Sequence, residues 1–357
     1  MNARDPMLPN LGGALPTGGL QPVAGPPVSV SRGGVDMRLL NTWQHDFPLV
    51  ERPFDAIARA LGLTEAAVLS ACQRLQDQGA ISRIGGVFAP GAGGAALLAA
   101  MAVPAERLEA VAAQVSAHPG VNHNYEREHR FNLWFVMTGR DAAAVAAAMQ
   151  ALEQTTGLPA LRLRMERAYR IDLGFDLRHS TAPVPMREHK ALTVTALTGA
   201  DASLAACVEQ GLPITARPFD AWANTLQITP EALLQRLRAW LQSGTLKRFG
   251  VVVRHHELGF SANAMTVFDV PDALVDACGE ALARQTGVTL AYRRERAPQW
   301  PYNLYCMVHG TERAAVQAVI DRVVSDAGLS DFPRAVLFST RRFKQTGARR
   351  FRPAHSL

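Results

Sequence analysis

Arg254-His255-His256-Glu257-Leu258-Gly259 places two adjacent histidines beside an arginine. Histidine alone changes charge near neutral pH without special help, so this run suits an acid or an axial-ligand pair; a solvated basic loop is the plainer alternative. On an extended strand, neighbours point to opposite faces. One histidine at most would then face a given pocket, and His255 is the first choice. A second run reads Tyr292-Arg293-Arg294-Glu295-Arg296-Ala297-Pro298-Gln299-Trp300-Pro301-Tyr302-Asn303-Leu304-Tyr305. Clustered arginines on neighbouring strands repel unless an anion neutralises them. Trp300 and Tyr302 offer faces for packing a flat ligand, or for ordinary hairpin packing. A third run, Ser339-Thr340-Arg341-Arg342-Phe343-Lys344, adds more positive charge near the end of the chain.

These runs stand out because the chain contains itself twice. Arg52-Pro53-Phe54-Asp55-Ala56 recurs as Arg217-Pro218-Phe219-Asp220-Ala221, and Gly79, Arg83 and Gly85 fall on Gly244, Arg248 and Gly250. Further on, Gly120-Val121, Tyr125 and Arg127-Glu128 meet Gly287-Val288, Tyr292 and Arg294-Glu295. Where copy two has Arg254, His255 and His256, copy one has Ala89, Pro90 and Gly91. Copy one turns the chain there without histidines. Its hairpin is also shorter and less basic, so copy two carries the candidate chemistry. One competent site per pair of copies is expected.

The elements that must position these residues repeat as well. Phe54, Ile57, Ala58 and Leu61 form one helical face. Gly62 ends that helix, and Thr64 caps the next, whose apolar positions are Val68, Leu69, Cys72 and Leu75. Ile81–Phe88 reads as a short β-hairpin or wing. Copy two repeats each step, with Thr229 as cap and Thr245–Val253 as wing. A β-α-β-β-α-β pattern follows each wing, the ferredoxin-like split βαβ arrangement. The fold class is therefore α+β: a tandem winged helix-turn-helix plus ferredoxin-like repeat, forming an intramolecular pseudo-dimer. The boundaries are a disordered leader over 1–34, helix-turn-helix units over 35–90 and 190–254, ferredoxin-like units over 91–180 and 255–348, a linker over 181–189 and a basic tail over 349–357.

The chain has 357 residues and a net charge of +6, and lysine occurs only at Lys190, Lys247 and Lys344. Arginine supplies the rest of the positive charge, as a planar fork that binds carboxylate or phosphate. The partner implied is a polyanion. None of Cys72, Cys207, Cys278 and Cys306 lies in a C-x-x-C pair, which fits a reduced cytoplasmic protein without a cysteine metal site. There is no apolar run long enough for a membrane span.

A winged helix-turn-helix followed by a ferredoxin-like unit resembles the Lrp/AsnC regulators. A recognition helix needs Arg, Lys, Asn or Gln aimed at base edges near its start. Copy one offers Glu65, alanines and Ser70, and copy two holds Gln235, Arg236 and Arg238 late. DNA binding is not expected. The stretches around Leu40–Gly62, the Arg-Ile-Gly and Val-Phe of Arg83–Phe88, Arg254–Gly259, Ala291–Gly310 and Ser339–Gly347 resemble the siroheme decarboxylases of heme d1 biosynthesis, in a fused form with a D-type and an L-type half. The resemblance implies non-oxidative removal of the C12 and C18 acetate carboxylates of siroheme. It implies His255 or His256 as the proton donor with Tyr292 as helper. Arg254, Arg294, Arg296, Arg341 and Lys344 would hold peripheral carboxylates, and Trp300 and Tyr302 would pack on the macrocycle. No cofactor or protein-bound metal is expected, since the iron arrives with the substrate. Expected partners are siroheme and either further copies of the chain or other decarboxylase subunits of the pathway, with no membrane. A tetrapyrrole-responsive DNA-binding regulator is the alternative.

Overall fold

The structure is a computed structural model that describes residues 34–171, 174, 177, 194 and 196–351. The leader, apart from Gly34, and the linker over 181–189 lie outside the described residues. Copy one begins with α1 (Val35–Thr42), α2 (Pro53–Leu61) and α3 (Glu65–Asp77), followed by strand β1 (Ile81–Phe88). Phe54, Ile57 and Ala58 bury one face of α2. Gly62 ends that helix with a left-handed φ of 69°, where a side chain would be strained. The Thr64 hydroxyl accepts the Ala67 N–H at 3.3 Å, capping α3. Next come β2 (Ala95–Met101), α4 (Leu108–Ala117), β3 (Val121–Arg127), β4 (Leu133–Gly139), α5 (Ala142–Thr156), β5 (Ala160–Leu163) and β6 (Met165–Ile171).

Copy two repeats the order. Its helices α6 (Gly199–Gln210), α7 (Pro218–Leu226) and α8 (Pro230–Gln242) lead into β7 (Leu246–Val253). Then follow β8 (Ala262–Phe268), α9 (Val275–Ala283), β9 (Val288–Arg294), β10 (Leu304–Gly310), α10 (Arg313–Asp326) and β11 (Arg334–Gln345).

Neither wing is a hairpin. Each copy contributes one strand, and β1 pairs antiparallel with β7 across the pseudo-twofold, Gly85 opposite Gly250. Gly85-Gly86 resembles a turn in the sequence, but these glycines serve close backbone approach. A Cβ on Gly250 would lie 2.3 Å from the Trp43 carbonyl oxygen, and one on Gly85 2.5 Å from that of Val208. The ribbon lies in one core shared by both helix-turn-helix units, with Phe54, Leu75, Phe219, Leu237 and Phe249 fully buried.

The remaining strands make one sheet in the order β5-β2-β4-β3-β11-β8-β10-β9-β6. Its two ends, β5 and β6, are separated in the chain by Arg164 alone, so the sheet returns on itself. Strand β11 starts beside β8 of its own copy and finishes beside β3 of the other. In copy one, β5 pairs with β2 and β6 with β9. This exchange of last strands makes the two copies one body. Separate apolar cores lie between each copy's helices and its strands. The inner face joins both copies in a further core that includes Leu98, Trp134, Met265, Tyr292, Trp300 and Met307.

Candidate active site

A cavity of about 480 Å³ lies between the β1–β7 ribbon and the inner face of the sheet, and residues of both copies line it. That volume is within the range of small-molecule sites. Its charged lining is strongly one-sided: Arg83, Arg127, Arg248, Arg254, Arg294 and Arg350 against Glu209. Two pseudo-symmetric pairs mark its walls. Arg294 stacks over the Tyr292 ring at 4.6 Å and donates to the Leu163 carbonyl at 2.8 Å. Arg127 lies 5.6 Å from the Tyr125 ring and donates to the Leu337 carbonyl at 2.9 Å. Each arginine is thereby fixed to the opposite copy. Burial pulls the Arg127 guanidinium down to about 10, the cost of holding a cation away from water.

Three histidines share one end of this cavity. His255 opens the short 3-10 turn His255–Leu258 that follows β7, and its ring meets that of His309 edge-on, centroids 4.8 Å apart. His309 lies on β10, with Nδ1 3.0 Å from the Thr289 hydroxyl, which donates to the Met307 carbonyl at 3.1 Å. His123, from copy one, has Nδ1 2.8 Å from the Asn122 side-chain oxygen. Burial lowers His123 and His309 to about 4, helped by the nearby Arg127 charge. His255 falls well below its ordinary value, again mainly through burial, with His309, His256, His123 and Arg342 adding repulsion. All three rings are neutral at pH 7.

The pseudo-symmetric positions do not repeat these groups. The repeat sets Leu290 where copy one has His123, Thr138 where copy two has His309, Ala96 for Asn263, Pro90 for His255 and Ile171 for Gln345. Both members of each pair line the cavity. One cavity is therefore lined by both copies, with histidine at only one member of each related pair that carries it.

Of the residues expected from sequence, His255, Tyr292, Arg254 and Arg294 line the cavity together. The others lie elsewhere. His256 is half-buried outside the lining, because the chain here forms a 3-10 turn rather than an extended strand. Arg296 is held by Asp269 and Asp272 at 2.8 and 2.7 Å and by two backbone carbonyls. Arg341 pairs with Glu126 at 2.6 Å and with Glu109. Lys344 donates to the Ser116 and His118 carbonyls at 2.7 and 3.2 Å. Trp300 is 1% exposed and donates to the Tyr305 hydroxyl at 2.6 Å, with Trp134 and Tyr302 against its ring. These aromatics are core, and Tyr302 packs beside that core rather than on the cavity. Sequence reasoning passed over His123, His309, Arg83 and Arg248. The two histidines had a signal, since each stands where the other copy has Leu290 or Thr138.

The helix-turn-helix cations are also engaged. Arg236 bonds Asp201 at 3.2 Å, Arg238 donates to the Leu49 carbonyl at 2.5 Å, and Arg52 pairs with Glu65. Of the basic tail, only 349–351 are among the described residues, and there Phe351 packs against Phe88 of copy one with centroids 5.0 Å apart. Among the described residues, no group of His, Cys, Asp or Glu is arranged to hold a metal ion. No helix among them is long and apolar enough to cross a membrane.

Comparison with known proteins settles the family. The model of a siroheme decarboxylase NirDL-like helix-turn-helix domain matches residues 36–81 and 201–246, and that of an AsnC-like ligand binding domain matches 92–170 and 257–344. The siroheme decarboxylase NirDL subunit of Paracoccus denitrificans is 42% identical over 315 residues, covering 88% of this chain and 96% of that one. The chain belongs to the siroheme decarboxylase family. A family member from Hydrogenobacter thermophilus is 32% identical over 88% of this chain and 94% of its own. A crystal structure of the siroheme decarboxylase NirDL in co-complex with an iron-uroporphyrin III analogue superposes with a TM-score of 0.63 at 29% identity. It covers 88% of this chain and 94% of that one.

Proposed function

We propose that this chain is a siroheme decarboxylase that removes the C12 and C18 acetate carboxylates of siroheme, without oxidation, in heme d1 synthesis. Family membership gives the activity. The observation that carries the site is the cavity with six arginines and three buried neutral histidines, lined by both copies. Siroheme is a flat macrocycle with carboxylates around its rim, and a buried arginine-rich wall is complementary to it. Arg254 and Arg294 hold peripheral carboxylates and orient the reacting acetate.

In the reaction the bond between the acetate methylene and its carboxylate breaks, and carbon dioxide leaves. The electron pair stays on the methylene, delocalised into the adjoining pyrrole. A proton from His255 then completes a methyl group, and the ring regains its proton from solvent. Atoms and charge balance with no oxidant. His255 is held neutral, because burial first, then the neighbouring histidines and Arg342, disfavour its charged form. Carboxylates brought in by the substrate reverse that electrostatic balance and favour the imidazolium. Substrate binding thus arms the acid. Tyr292, stacked with Arg294, faces the same cavity as a second polar contact.

The histidines without a counterpart in the other copy support one competent site per chain. Removal of both acetates then requires the first product to turn or rebind, and a monodecarboxylated species is released on the way. We place the protein in the cytoplasm, in keeping with four free cysteines. Single-turnover mixing with substoichiometric siroheme tests the site count: a transient monodecarboxylated species is expected, and direct conversion without one contradicts it.

A further inference from the structure

The end of the chain closes one side of the cavity. Thr346, Gly347, Ala348 and Arg350 are all part of its lining. The segment leaves β11 with the Thr346 N–H on the Asn122 carbonyl at 2.7 Å. Beyond that its fastening comes from the helix-turn-helix half of the molecule. Glu209, on α6, accepts the backbone N–H groups of Arg350 and Phe351 on one carboxylate oxygen, at 2.7 and 3.1 Å. Gly93 and Gly94 give the segment room, since a Cβ on either would collide with Phe351 or Arg350. Gly347 does the same for the Arg83 guanidinium, which a Cβ there would meet at 2.2 Å.

Glu209 is 5% exposed. A carboxylate is rarely buried without compensation, and burial raises its proton affinity here, while the two N–H groups, Arg350 and Arg83 oppose that rise. Two cations surround one anion, so this corner keeps a positive excess facing the cavity. The Nε atoms of Arg83 and Arg350 are buried with no hydrogen-bond partner among the described residues. Both guanidinium groups border the cavity, where their terminal N–H groups can donate to a carboxylate oxygen.

We propose that Glu209 is a positioning residue that pins the 346–351 strap over the cavity, so that Arg350 and Arg83 clamp a non-reacting side-chain carboxylate of the macrocycle. This rests on the decarboxylase reading for the identity of the ligand. It also gives the helix-turn-helix half a role: α6 carries the pin, and the ribbon carries Arg83.

Hydrogen exchange of the strap amides in the full-length protein, with and without siroheme, tests this directly. Siroheme should slow exchange at Arg350 and Phe351. Glu209→Ala should speed it and weaken siroheme binding by about tenfold, the loss of one charge-assisted contact set. The effect should fall on KM rather than kcat, and Glu209→Gln should recover part of it. Phe351→Ala, which loosens the strap without touching the carboxylate, should shift exchange and KM the same way and serves if Glu209→Ala does not fold. Strap exchange indifferent to siroheme, with wild-type affinity in both variants, would overturn the proposal. Wild-type protein that binds siroheme without releasing carbon dioxide would overturn the decarboxylase reading instead, and the exchange and affinity measurements would still decide the strap.

Discussion

At the scale of single residues, the site depends on histidines kept neutral until substrate arrives. Replacing His255 with Ala removes the proton donor and should lower kcat by about 10²- to 10⁴-fold, with siroheme affinity changed far less; single-turnover assays separate the two. The same burial makes the folded protein acid-sensitive. His123 and His309 are held at about 4, whereas in the unfolded chain they titrate near 6.5. Between those values the unfolded chain binds more protons, so stability is complete above about pH 6.5 and is lost as pH falls toward 4. Each ring contributes up to about 1.4 kcal/mol per pH unit in that window. Urea unfolding at a series of pH values should show this slope, and His309→Gln should reduce it by close to one proton. His255 was legible in the sequence because a whole motif differs between the copies. His123 and His309 were obscured because each is one histidine within a strand, far from His255 in sequence, and only the folded sheet brings them to the same cavity.

Among the elements, the long strands and helices were legible from their periodicity, and the β-α-β-β-α-β order expected after each wing is the one observed. The two strands Ile81–Phe88 and Leu246–Val253 were not, because a partner in the other copy is invisible to local pattern. The hairpin loop misled for a related reason. A loop rich in arginine and aromatic residues suggests a binding edge, but Trp300 fills the joint inner core and Arg296 is satisfied by Asp269 and Asp272. Trp300→Ala should therefore cost about 3–5 kcal/mol of stability as a cavity mutation, measured by denaturant unfolding. Arg296→Ala should cost under about 1 kcal/mol, as a largely exposed ion-pair network does, and leave siroheme affinity near wild type. Arg294→Ala, by contrast, should weaken siroheme binding by about tenfold or more, since it removes a buried cation from the cavity wall.

At the scale of the whole molecule, gene-length repetition has become division of labour. Both copies build the cavity, copy two supplies two of its three histidines and copy one the third, and the exchanged last strands keep them in register. The repeat itself was plain in the sequence; that the two copies share one cavity was not, since it depends on how β3, β9 and the ribbon meet. With one cavity shared by both copies, the chain should bind one siroheme, and titration followed by absorbance should saturate at that ratio. The arginines of α8 are engaged within the protein, so duplex DNA should show at most weak binding without sequence preference, judged by its salt dependence. The most direct measurement is anaerobic incubation of the purified protein with siroheme, without reductant or added cofactor, followed by mass spectrometry of the tetrapyrrole. Stepwise loss of two carbon dioxides, abolished in His255→Ala, is the expected result. Tight binding of siroheme with no change in its mass would contradict the account.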